Sequence, residues 1–385
     1  MPAPSIDIAI VNYRGVADTL EALRRLAGWP HGTIWLVDNS AHETDMADES
    51  ATLCQTSATM RQVVHIAPGE NLGFGRACNL VFAKSNAEFF LLLNPDARIG
   101  ADDIVLLANA LTAQPRLGAV SPKIYWNEQR SFVLPVAFPQ TPWHSVALAL
   151  ATRWHWLAKQ AARLYLKRAM SSMNREAPFE VDFLAGAVLM LRRQAVLSAG
   201  GLFDPAYFMF FEDSDLSLRL RRAGHALAVV PTACAVHEYR HKAYKAGLME
   251  TSQLQYFGKR FPLFFRLSRK LSRVTALARP QDPAKWFRVL AQPVASAEEF
   301  TGLTDGARVL ALSPSLLMMP AMTRPSRAHA CCLDEKEWDL LEPAVYVALM
   351  QNNNPMSLPT WTYFERAAPF DHSPFDAISG QDKHR

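Results

Sequence analysis

The sequence predicts an α/β protein in which helices flank a central, mostly parallel sheet, followed by a small C-terminal module that is α+β or loop-rich. Short runs of β-branched and other apolar residues alternate with helix-like stretches. These runs are apolar on both faces, as buried parallel strands are. The C-terminal module is predicted because the composition shifts beyond residue 280 and prolines recur there.

The first hundred residues carry four predicted strands, which span 6–11, 33–37, 63–66 and 88–93. A helix over 18–26 follows the first strand, because leucines recur there on one face. This order of elements is typical of a sheet that is covered by helices on both faces.

Polar clusters follow three of these strands: Asn12-Tyr13, Asp38-Asn39 and Asn94-Pro95-Asp96. In open sheets of this kind, ligands bind outside the carboxyl ends of the strands. The sequence therefore predicts a ligand site at that edge of the sheet.

The composition excludes several classes of protein. Of the 385 residues, 50% are hydrophobic and 20% charged, which suits two or three globular domains and excludes a mostly disordered chain. The formal charge of +4 gives no argument for a nucleic acid partner. No apolar run reaches the roughly 18 residues of a bilayer span, and the N-terminus predicts no cleaved secretory signal. Five cysteines in no disulfide or metal pattern suit a reducing cytosol.

The segment 141–175 contains no Asp or Glu, and its apolar residues, tryptophan and tyrosine included, follow helical spacing. Its basic residues are Arg153, Lys159, Arg163, Lys167, Arg168 and Arg175. A basic amphipathic helix of this kind is typical of an element that lies on a membrane surface. The alternative is a core-packed helix whose exposed side is basic. The membrane interpretation is favoured by a second basic stretch, 259–279, which contains Phe261, Phe264 and Phe265.

Within the C-terminal module the pattern predicts a strand over 308–312 and a helix over 335–350. The module carries no sequence motif of known chemistry. No role is therefore predicted for it.

Asn94-Pro95-Asp96 follows a predicted buried strand, so the carboxylate of Asp96 would lie in a crevice that is open to a ligand on one side. A lone carboxylate with a neighbouring amide suits a divalent cation that takes its remaining ligands from water and substrate phosphate. The alternative is an Asx-Pro turn that only ends the strand.

A second acidic cluster begins where four bulky apolar residues, 208–211, run into Glu212, Asp213 and Asp215 at the start of a predicted helix. Helix capping explains one or two of these acids. A carboxylate beside aromatic surface is partly desolvated, which raises its proton affinity and suits it to act as a general base. Asp213 or Asp215 is the candidate base, with Glu212 orienting it.

Two further segments carry candidate ligands. His237 follows a strand-like stretch and would offer a neutral imidazole to a metal, but His241 is an equal candidate on spacing, and a lone turn histidine is the structural alternative. The segment 71–79 contains Gly-x-Gly without a third glycine, which is weak as a dinucleotide fingerprint. It suits a loop that directs backbone amides and Arg76 toward a diphosphate.

Seven short segments between about residues 5 and 240 stand out as sequence motifs. They span 11–13, 37–40, 71–79, 93–97, 186–193, 200–204 and 211–216. In this order they resemble the motifs of inverting family-2 glycosyltransferases, and within that family the bacterial rhamnosyltransferase-type enzymes of cell-surface polysaccharide assembly. The resemblance implies a GT-A fold with a Rossmann-like sheet.

The same resemblance implies how the chain is divided. A GT-A domain would span 1–260, with a nucleotide-binding half at about 1–120 and an acceptor half at about 121–260. The basic helical segment 141–175 would be an insert in the acceptor half. A basic linker and a module of unknown role would follow over 261–385.

The resemblance also implies roles for matching residues. Asp38 would accept a hydrogen bond from the imide of uracil or thymine, and Asp213 would be the general base, with Glu212 beside it. Asp96 and His237 would hold Mg²⁺ or Mn²⁺ on the donor diphosphate. The donor-binding residues are predicted to be Asn12, Tyr13, Asp38, Asn71, Arg76, Asn94 and Asp96. The residues predicted to meet the acceptor are Gly186 and Asp215.

The predicted function is metal-dependent, inverting transfer of a sugar such as rhamnose from a dTDP- or UDP-sugar to a hydroxyl of a cell-surface glycan or lipid-linked acceptor. We expect the enzyme in the cytoplasm, peripheral on the inner face of the cell membrane, with no nucleic acid partner. The alternative is a glycosyltransferase-like module that binds a nucleotide or glycan without turnover. The joint presence of Asp38, Asp96 and Asp213 disfavours that alternative, because a binding module needs no base.

Overall fold

The structure is a computed structural model of the chain. It describes residues 4–151, 154–238, 245–267, 287–304, 306–314, 321–324, 333–351 and 360–367. The strands are β1 (Ile6–Asn12), β2 (Ile34–Asp38), β3 (Val63–Ile66), β4 (Phe89–Leu93), β5 (Ala97–Ile99), β6 (Leu117–Tyr125), β7 (Val133–Leu134), β8 (Phe179–Val181), β9 (Val188–Arg192), β10 (Ala226–His237), β11 (Arg288–Val289), β12 (Arg308–Ser313), β13 (Met322–Thr323), β14 (Val345–Gln351) and β15 (Thr360–Glu365). The helices are α1 (Val16–Arg25), α2 (Ala47–Thr59), α3 (Gly73–Lys84), α4 (Ala101–Ala113), α5 (Pro142–Ala151), α6 (His155–Met173), α7 (Arg193–Ser198), α8 (Glu212–Arg222), α9 (Lys245–Arg260), α10 (Ala297–Leu303) and α11 (Glu335–Asp339).

The central sheet is mostly parallel. β3, β2, β1 and β4 lie side by side in one direction, β9 runs antiparallel between β4 and β6, and β10 runs parallel to β6. A hydrophobic core covers each face: Phe89, Leu91 and Leu93 of β4 pack on one side, and Phe90 and Leu92 on the other. All five are buried. The predicted α/β class with a mostly parallel central sheet is confirmed.

The register of the sheet gathers the predicted polar clusters at one edge. Asn12 pairs with Asp38 at the carboxyl ends of β1 and β2. β4 ends at Leu93, and Val188, the first residue of the antiparallel β9, pairs with it. The start of β9 therefore lies at the same edge as the ends of the parallel strands.

The C-terminal strands continue the central sheet. β12, β14 and β15 are antiparallel neighbours, and β13 pairs with both β12 and β7. Trp126 and Phe132, on the two sides of the turn before β7, share a hydrophobic core with Phe300, Trp338 and Phe364. The C-terminal module is α+β, one of the two forms predicted.

The helix predicted over 335–350 is wrong beyond its first residues. α11 ends at Asp339, and Val345 begins β14, which is hydrogen-bonded to β12 on one side and to β15 on the other. Val345 and Val347 are β-branched and favour a strand, but the two neighbouring strands decide the outcome. The strand predicted over 308–312 is confirmed as β12.

The basic segment 141–175 forms α5 and α6, and one face of α6 packs on the C-terminal sheet. The buried residues of that face are Ala162, Tyr165, Leu166 and Ala169. Their partners include Ala311, Val347 and Trp361. This face agrees with the core-packed interpretation of the segment, whereas the opposite face of α6 is exposed.

The phenylalanines of the second basic stretch are half-buried. Phe261, Phe264 and Phe265 pack on an aromatic cluster that contains Phe257 of α9. Leu263 and Leu267 of the same stretch are exposed, and residues 268–279 lie outside the described ranges. Among the helices that the structure describes, none combines the length and the apolar character of a bilayer crossing.

Candidate active site

Asn12 holds the first two strand ends together. Its side-chain amide donates to Asp38 Oδ1 at 2.8 Å, and its side-chain oxygen accepts from the Thr19 hydroxyl at 3.0 Å and the Gly15 amide at 3.2 Å. Asn12 is fully buried. Because its polar groups are engaged within the protein, Asn12 orients Asp38 here, and a direct contact with the donor stays a prediction.

Asp38 has one carboxylate oxygen that is not used within the described chain. Oδ1 accepts from Asn12 and from the hydroxyl and the amide of Ser40, at 2.8 and 3.1 Å, whereas Oδ2 is buried without a hydrogen-bond partner among the described residues. Burial acts to raise the pKa of Asp38, but the hydrogen bonds from Asn12 and Ser40, together with the nearby Ser50 hydroxyl, hold that pKa below its ordinary value. A buried, ionised oxygen without a donor is costly, so this atom fits a ligand N–H group.

Asp96 and His237 form the candidate metal pair. His237 Nε2 lies 3.3 Å from Asp96 Oδ1, because β10 pairs with β5 so that His237 lies opposite Ala97. The Asp96 side chain is 42% exposed, so its carboxylate is open to a ligand. Of the two histidines that the sequence left open, His237 is beside Asp96, and His241 lies outside the described residues.

These two side chains fit a divalent cation that completes its shell from substrate and water. A carboxylate oxygen and an imidazole nitrogen are both ligands that Mn²⁺ accepts. Among the described residues there is no group of three or more His, Cys, Asp or Glu that could hold a metal. The donor set agrees with a cation that a substrate diphosphate helps to bind.

The candidate base lies at the same edge of the sheet as Asp96. The backbone amide of Asn94 donates to the carbonyl of Ala187 at 2.8 Å. The neighbouring amide of Gly186 donates to Asp213 Oδ2 at 3.1 Å. Asp213 is therefore tied through the start of β9 to the strand end that carries Asp96.

Asp213 lies in the first turn of α8 with both carboxylate oxygens hydrogen-bonded. Oδ1 accepts from the amide of Ser214 at 2.7 Å, and Oδ2 accepts from Gly186. Burial raises the pKa of Asp213, while these backbone amides favour the carboxylate form. A fixed carboxylate with increased proton affinity is suited to act as a general base.

Glu212 is buried next to Asp213, and its Oε2 has no hydrogen-bond partner in the part of the chain that the structure describes. Burial, followed by the charge of Asp213, raises the pKa of Glu212 to about 8. Both causes favour the protonated form of Glu212. A neutral Glu212 leaves the negative charge of this pair on Asp213.

An unusual backbone conformation precedes the two acids. Phe210 and Phe211 have positive φ angles of 69° and 65°, a region that costs residues with side chains roughly 1–2 kcal/mol each. The Phe211 ring packs on Tyr256 of α9, with ring centroids 5.5 Å apart. The aromatic residues before the acidic cluster thus hold the turn from which α8 begins.

Asp215 is fully buried and forms ion pairs with two arginines. Its Oδ2 accepts from Arg219 Nε at 2.7 Å and from Arg260 Nη2 at 2.9 Å. An acceptor would reach this carboxylate only by breaking these pairs, so Asp215 here anchors α8 to α9. Arg260 was not among the predicted site residues, because it lies 45 positions away and no local pattern marks it.

The glycines of the segment 71–79 allow two backbones to approach closely. Gly73 has a φ of 74°, and a Cβ at this position would lie 2.4 Å from the carbonyl oxygen of Phe208. The amide of Phe74 donates to the same oxygen at 3.0 Å. The segment 71–79 therefore packs against the loop that precedes α8 and is hydrogen-bonded to it.

Of three further predicted donor-binding residues, Asn71 and Arg76 form hydrogen bonds within the protein and Tyr13 is exposed. The Asn71 side-chain oxygen accepts from the Gly73 amide at 3.0 Å, and Arg76 Nε donates to the carbonyl of Pro205 at 3.0 Å. Tyr13 is exposed at the end of β1. Contact of Tyr13, Asn71 and Arg76 with a donor stays a prediction.

Ser40 is a further residue of the site that was not predicted to have a role. Its hydroxyl donates to Asp38 Oδ1 at 2.8 Å, and its backbone amide donates to the same atom. The signal was present in the sequence, because a serine two positions after an aspartate commonly closes such a turn.

A family model described as glycosyltransferase like family 2 matches residues 3–255. The chain belongs to this family. The match includes all the elements that carry Asp38, Asp96 and Asp213, and it confirms the resemblance seen in the sequence. As a member of the family, the protein is a glycosyltransferase.

Two curated relatives are rhamnosyltransferases. N-acetylglucosaminyl-diphospho-decaprenol L-rhamnosyltransferase of Mycobacterium tuberculosis is 29% identical over an alignment of 223 residues, and the match covers 54% of this chain and 69% of the relative. Rhamnosyltransferase WbbL of Escherichia coli K12 is 43% identical over 61 residues, 16% of this chain and 23% of that protein. The predicted likeness to rhamnosyltransferases is confirmed.

Solved structures of glycosyltransferases are similar at low sequence identity. GalNAc-T7 with UDP, GalNAc and Mn²⁺ is 15% identical with a TM-score of 0.47, and the alignment covers 74% of this chain and 53% of that one. Mannosyltransferase PcManGT of Pyrobaculum calidifontis, in complex with GDP-Man and Mn²⁺, is 16% identical with a TM-score of 0.43, covering 68% and 64%. This chain thus spans between half and two thirds of those chains.

Proposed function

We propose that the protein transfers a sugar, with inversion and with the help of a divalent cation, from a nucleotide-diphospho-sugar to a hydroxyl of a lipid-linked or cell-surface glycan. The observation that carries the proposal is the position of Asp213, tied to the sheet edge that also holds Asp96 and His237. The Mycobacterium relative is named as an L-rhamnosyltransferase of N-acetylglucosaminyl-diphospho-decaprenol. That name supports rhamnose as the sugar and a polyprenyl-linked acceptor.

The donor base would bind at Asp38. The imide N–H of uracil or thymine would donate to Oδ2, the buried oxygen for which the described residues offer no partner. Cytosine presents an acceptor at the same ring position, so this atom favours a UDP- or dTDP-sugar. Protein covers the oxygen, with Ser50 of α2 beside it, so the base reaches Asp38 only when this cover moves aside.

Asp96 and His237 would hold Mg²⁺ or Mn²⁺ on the donor diphosphate. The cation would neutralise charge on the departing diphosphate, which is Lewis-acid assistance without proton transfer. The exposed carboxylate of Asp96 would contribute charge, and His237 a neutral nitrogen on the opposite strand. The backbone contact between Asn94 and Ala187 fixes this strand end relative to the base.

Asp213 would take the proton from the acceptor hydroxyl while that oxygen attacks the anomeric carbon on the face opposite the diphosphate. A bond from the acceptor oxygen to the anomeric carbon forms, and the bond from that carbon to the phosphate oxygen breaks. The amides of Gly186 and Ser214 hold the carboxylate during this step. The proton then passes from Asp213 to solvent.

The test is transfer by the purified full chain, with Mn²⁺, from a panel of UDP- and dTDP-sugars to a short polyprenyl-diphosphate-linked N-acetylglucosamine. Asp213→Asn should lose roughly 10²–10⁴-fold in kcat, the usual contribution of a general base, while nucleotide affinity is retained. The matched control is Asp182→Asn, which removes a surface carboxylate paired with Arg221 and should keep the rate. An Asp213→Asn variant with an unchanged rate would overturn the assignment. Nucleotide binding with no turnover of any donor would favour the non-catalytic module instead.

A further inference from the structure

The helices α5 and α6 expose large apolar side chains. Trp143 is 83% exposed, Trp156 58% and Leu164 67%. Other exposed apolar residues on α5 and just before α6 are Val146, Leu150 and Trp154. Exposed apolar surface of this extent marks a site that another surface covers.

The core does not account for these side chains. α6 already packs Tyr165 and Ala169 against the C-terminal sheet. Leu164 and Trp156 project from the other side of the helix, since positions one residue or nine residues before Tyr165 fall on a different face at 100° per residue. α6 therefore carries a second apolar face, which the described structure leaves uncovered.

Positive charge lies on the same side of α6. Lys159, Arg163 and Lys167 follow one another at intervals of four residues, which aligns them along one stripe next to Trp156 and Leu164. The structure shows no ion pair between these three side chains and any described residue. The segment 141–175 contains no Asp or Glu, so nothing within it neutralises the stripe.

The positive charge continues past Lys167. A cavity of about 140 Å³ opens beside the C-terminal end of α6, lined by Arg168 and Arg175 and also by Glu180 and Asp182, whose carboxylates pair with Arg116 and Arg221. Arg168 stacks on the Phe138 ring at 4.8 Å and Arg175 on the Phe179 ring at 4.9 Å. These contacts hold both guanidinium groups in place at the border of the exposed face.

We propose that this face docks on a bilayer surface that contains anionic lipids. The α5–α6 face is formed by Trp143, Val146, Leu150, Trp154, Trp156, Lys159, Arg163, Leu164 and Lys167. Tryptophan and leucine enter the interface between headgroups and acyl chains, and the cations are attracted to anionic headgroups. The combination of exposed tryptophan with unneutralised cations fits a lipid surface better than an apolar protein groove, which would leave the cations without partners.

Docking goes beyond the proposed transfer reaction and does not depend on it. None of the nine residues of the α5–α6 face belongs to the candidate active site. Binding to vesicles is therefore expected without donor, acceptor or metal. Failure of vesicle binding would leave the assignment of Asp213 untouched, so the two proposals can fail separately.

The test is co-sedimentation of the full chain with vesicles of phosphatidylcholine alone or of equal parts phosphatidylcholine and phosphatidylglycerol. The unmodified chain should bind the anionic vesicles and lose binding as salt is raised. Replacing the three cations of the stripe by glutamine should weaken binding roughly 100-fold, about fivefold for each cation near the surface. Replacing Trp143, Trp156 and Leu164 by serine should weaken it at least tenfold.

Two control variants keep the type of change but place it elsewhere on the surface. Arg61→Gln with Lys84→Gln removes exposed cations, and Leu106→Ser with Leu197→Ser removes exposed apolar side chains. Both should bind vesicles like the unmodified chain. The proposal is overturned if the unmodified chain does not bind anionic vesicles, or if the controls weaken binding as much as the α5–α6 variants. It is also overturned if the serine variant only converts a dimer to a monomer, since a second copy would then be what covers the face.

Discussion

The carboxylate of Asp213 accepts a hydrogen bond at 3.1 Å from the backbone amide of Gly186, 27 positions earlier in the chain. Gly186 precedes β9, the strand that runs against its neighbours in the central sheet. A Cβ at Gly186 would lie 3.8 Å from the Asp213 Cβ, an ordinary contact distance. The hydrogen bond to Asp213 is made by the backbone amide of Gly186. Because β9 is antiparallel, its first residues lie at the edge where the parallel strands end, and the amide of Gly186 lies there too.

Replacing Asp38 by asparagine should change the preference for the donor base. The new side chain would have to present its oxygen to Asn12 and Ser40, which places its amide where the Asp38 Oδ2 now lies. That amide would meet the imide N–H of uracil donor to donor, so affinity for UDP should fall about 10- to 100-fold, as for a lost hydrogen bond to a charged group. Affinity for CDP, which offers an acceptor there, should rise.

Calorimetric titration of UDP and CDP measures both effects. Asp48→Asn on the exposed side of α2 is the matched control and should leave both affinities unchanged. Equal binding of UDP by the Asp38→Asn variant and the unmodified chain would show that the base binds elsewhere.

Replacing Asp96 by asparagine should weaken the response to Mn²⁺. Asp96 is the carboxylate member of the pair that it forms with His237. We expect the concentration of Mn²⁺ for half-maximal transfer to rise by at least the roughly 10–100-fold that outer-shell substitutions cause. Chelation with EDTA should abolish transfer, and added Mn²⁺ should restore it. Asp102→Asn, in the exposed first turn of α4, should respond to Mn²⁺ like the unmodified chain. An unchanged Mn²⁺ response in the Asp96→Asn variant would contradict the metal assignment.

Replacing Glu212 by glutamine should weaken the pH dependence of the free energy of unfolding. Burial holds the pKa of Glu212 at about 8 in the folded chain, whereas an unfolded glutamate titrates near ~4.3. Between these values unfolding releases a proton, so the free energy of unfolding falls as pH rises, by at most about 1.4 kcal/mol per pH unit for one group. The glutamine cannot ionise, so urea unfolding of the variant should show a shallower fall between about pH 5 and 8.

The raised pKa of Asp213 acts in the same direction, so a part of the slope should survive in Glu212→Gln. Glu70→Gln changes an exposed carboxylate and should keep the slope of the unmodified chain. Identical slopes in the Glu212→Gln variant and the unmodified chain would mean that Glu212 is solvated.

Replacing Arg260 by methionine should destabilise the protein strongly. The variant leaves the buried carboxylate of Asp215 with one of its two arginines, Arg219, and removes the ion pair between α9 and α8. Breaking a buried ion pair costs about 3–5 kcal/mol. The neighbouring Lys259→Met removes a half-exposed side chain that pairs with Asp204 and should cost about 0–1 kcal/mol. Chemical denaturation measures both, and similar losses in the two variants would contradict the burial of the Asp215 pair.

Replacing Gly73 by alanine should also destabilise the fold. The new Cβ would lie 2.4 Å from the Phe208 carbonyl oxygen, and the residue would have to keep a φ of 74°. We expect a loss of about 2 kcal/mol or more in the free energy of unfolding, with slower transfer because the loop before α8 must shift. Gly247→Ala, in α9 with open space around it, should be neutral or slightly stabilising. A stable, fully active Gly73→Ala chain would show that the close approach is dispensable.

Much of the N-terminal sheet could be predicted from local pattern. The runs 6–11 and 88–93 are apolar on both faces because both faces of these strands are covered by helices. Polar residues follow these strands because the chain leaves the covered sheet there, and side chains can again reach solvent or a ligand. The acidic cluster at Glu212 was recognisable for the same local reason.

Other features depend on contacts between distant parts of the chain. The ion pair that buries Asp215 depends on Arg260, which lies 45 positions away in the chain. The choice of His237 rests on the pairing of β10 with β5. The strand that replaced most of the helix predicted over 335–350 exists because β12 and β15 supply hydrogen bonds on both sides.

The sequence by itself determined the α/β class, the strands that end in polar clusters and the motifs of the glycosyltransferase family, because each of these is encoded over a few neighbouring positions. Only the tertiary structure shows that Asp215 is buried in an ion pair with two arginines, whereas Asp213 is held by backbone amides. It alone decided which face of α6 packs and which stays uncovered. A residue's burial and its charge partners depend on elements far along the chain, and no local spacing specifies them.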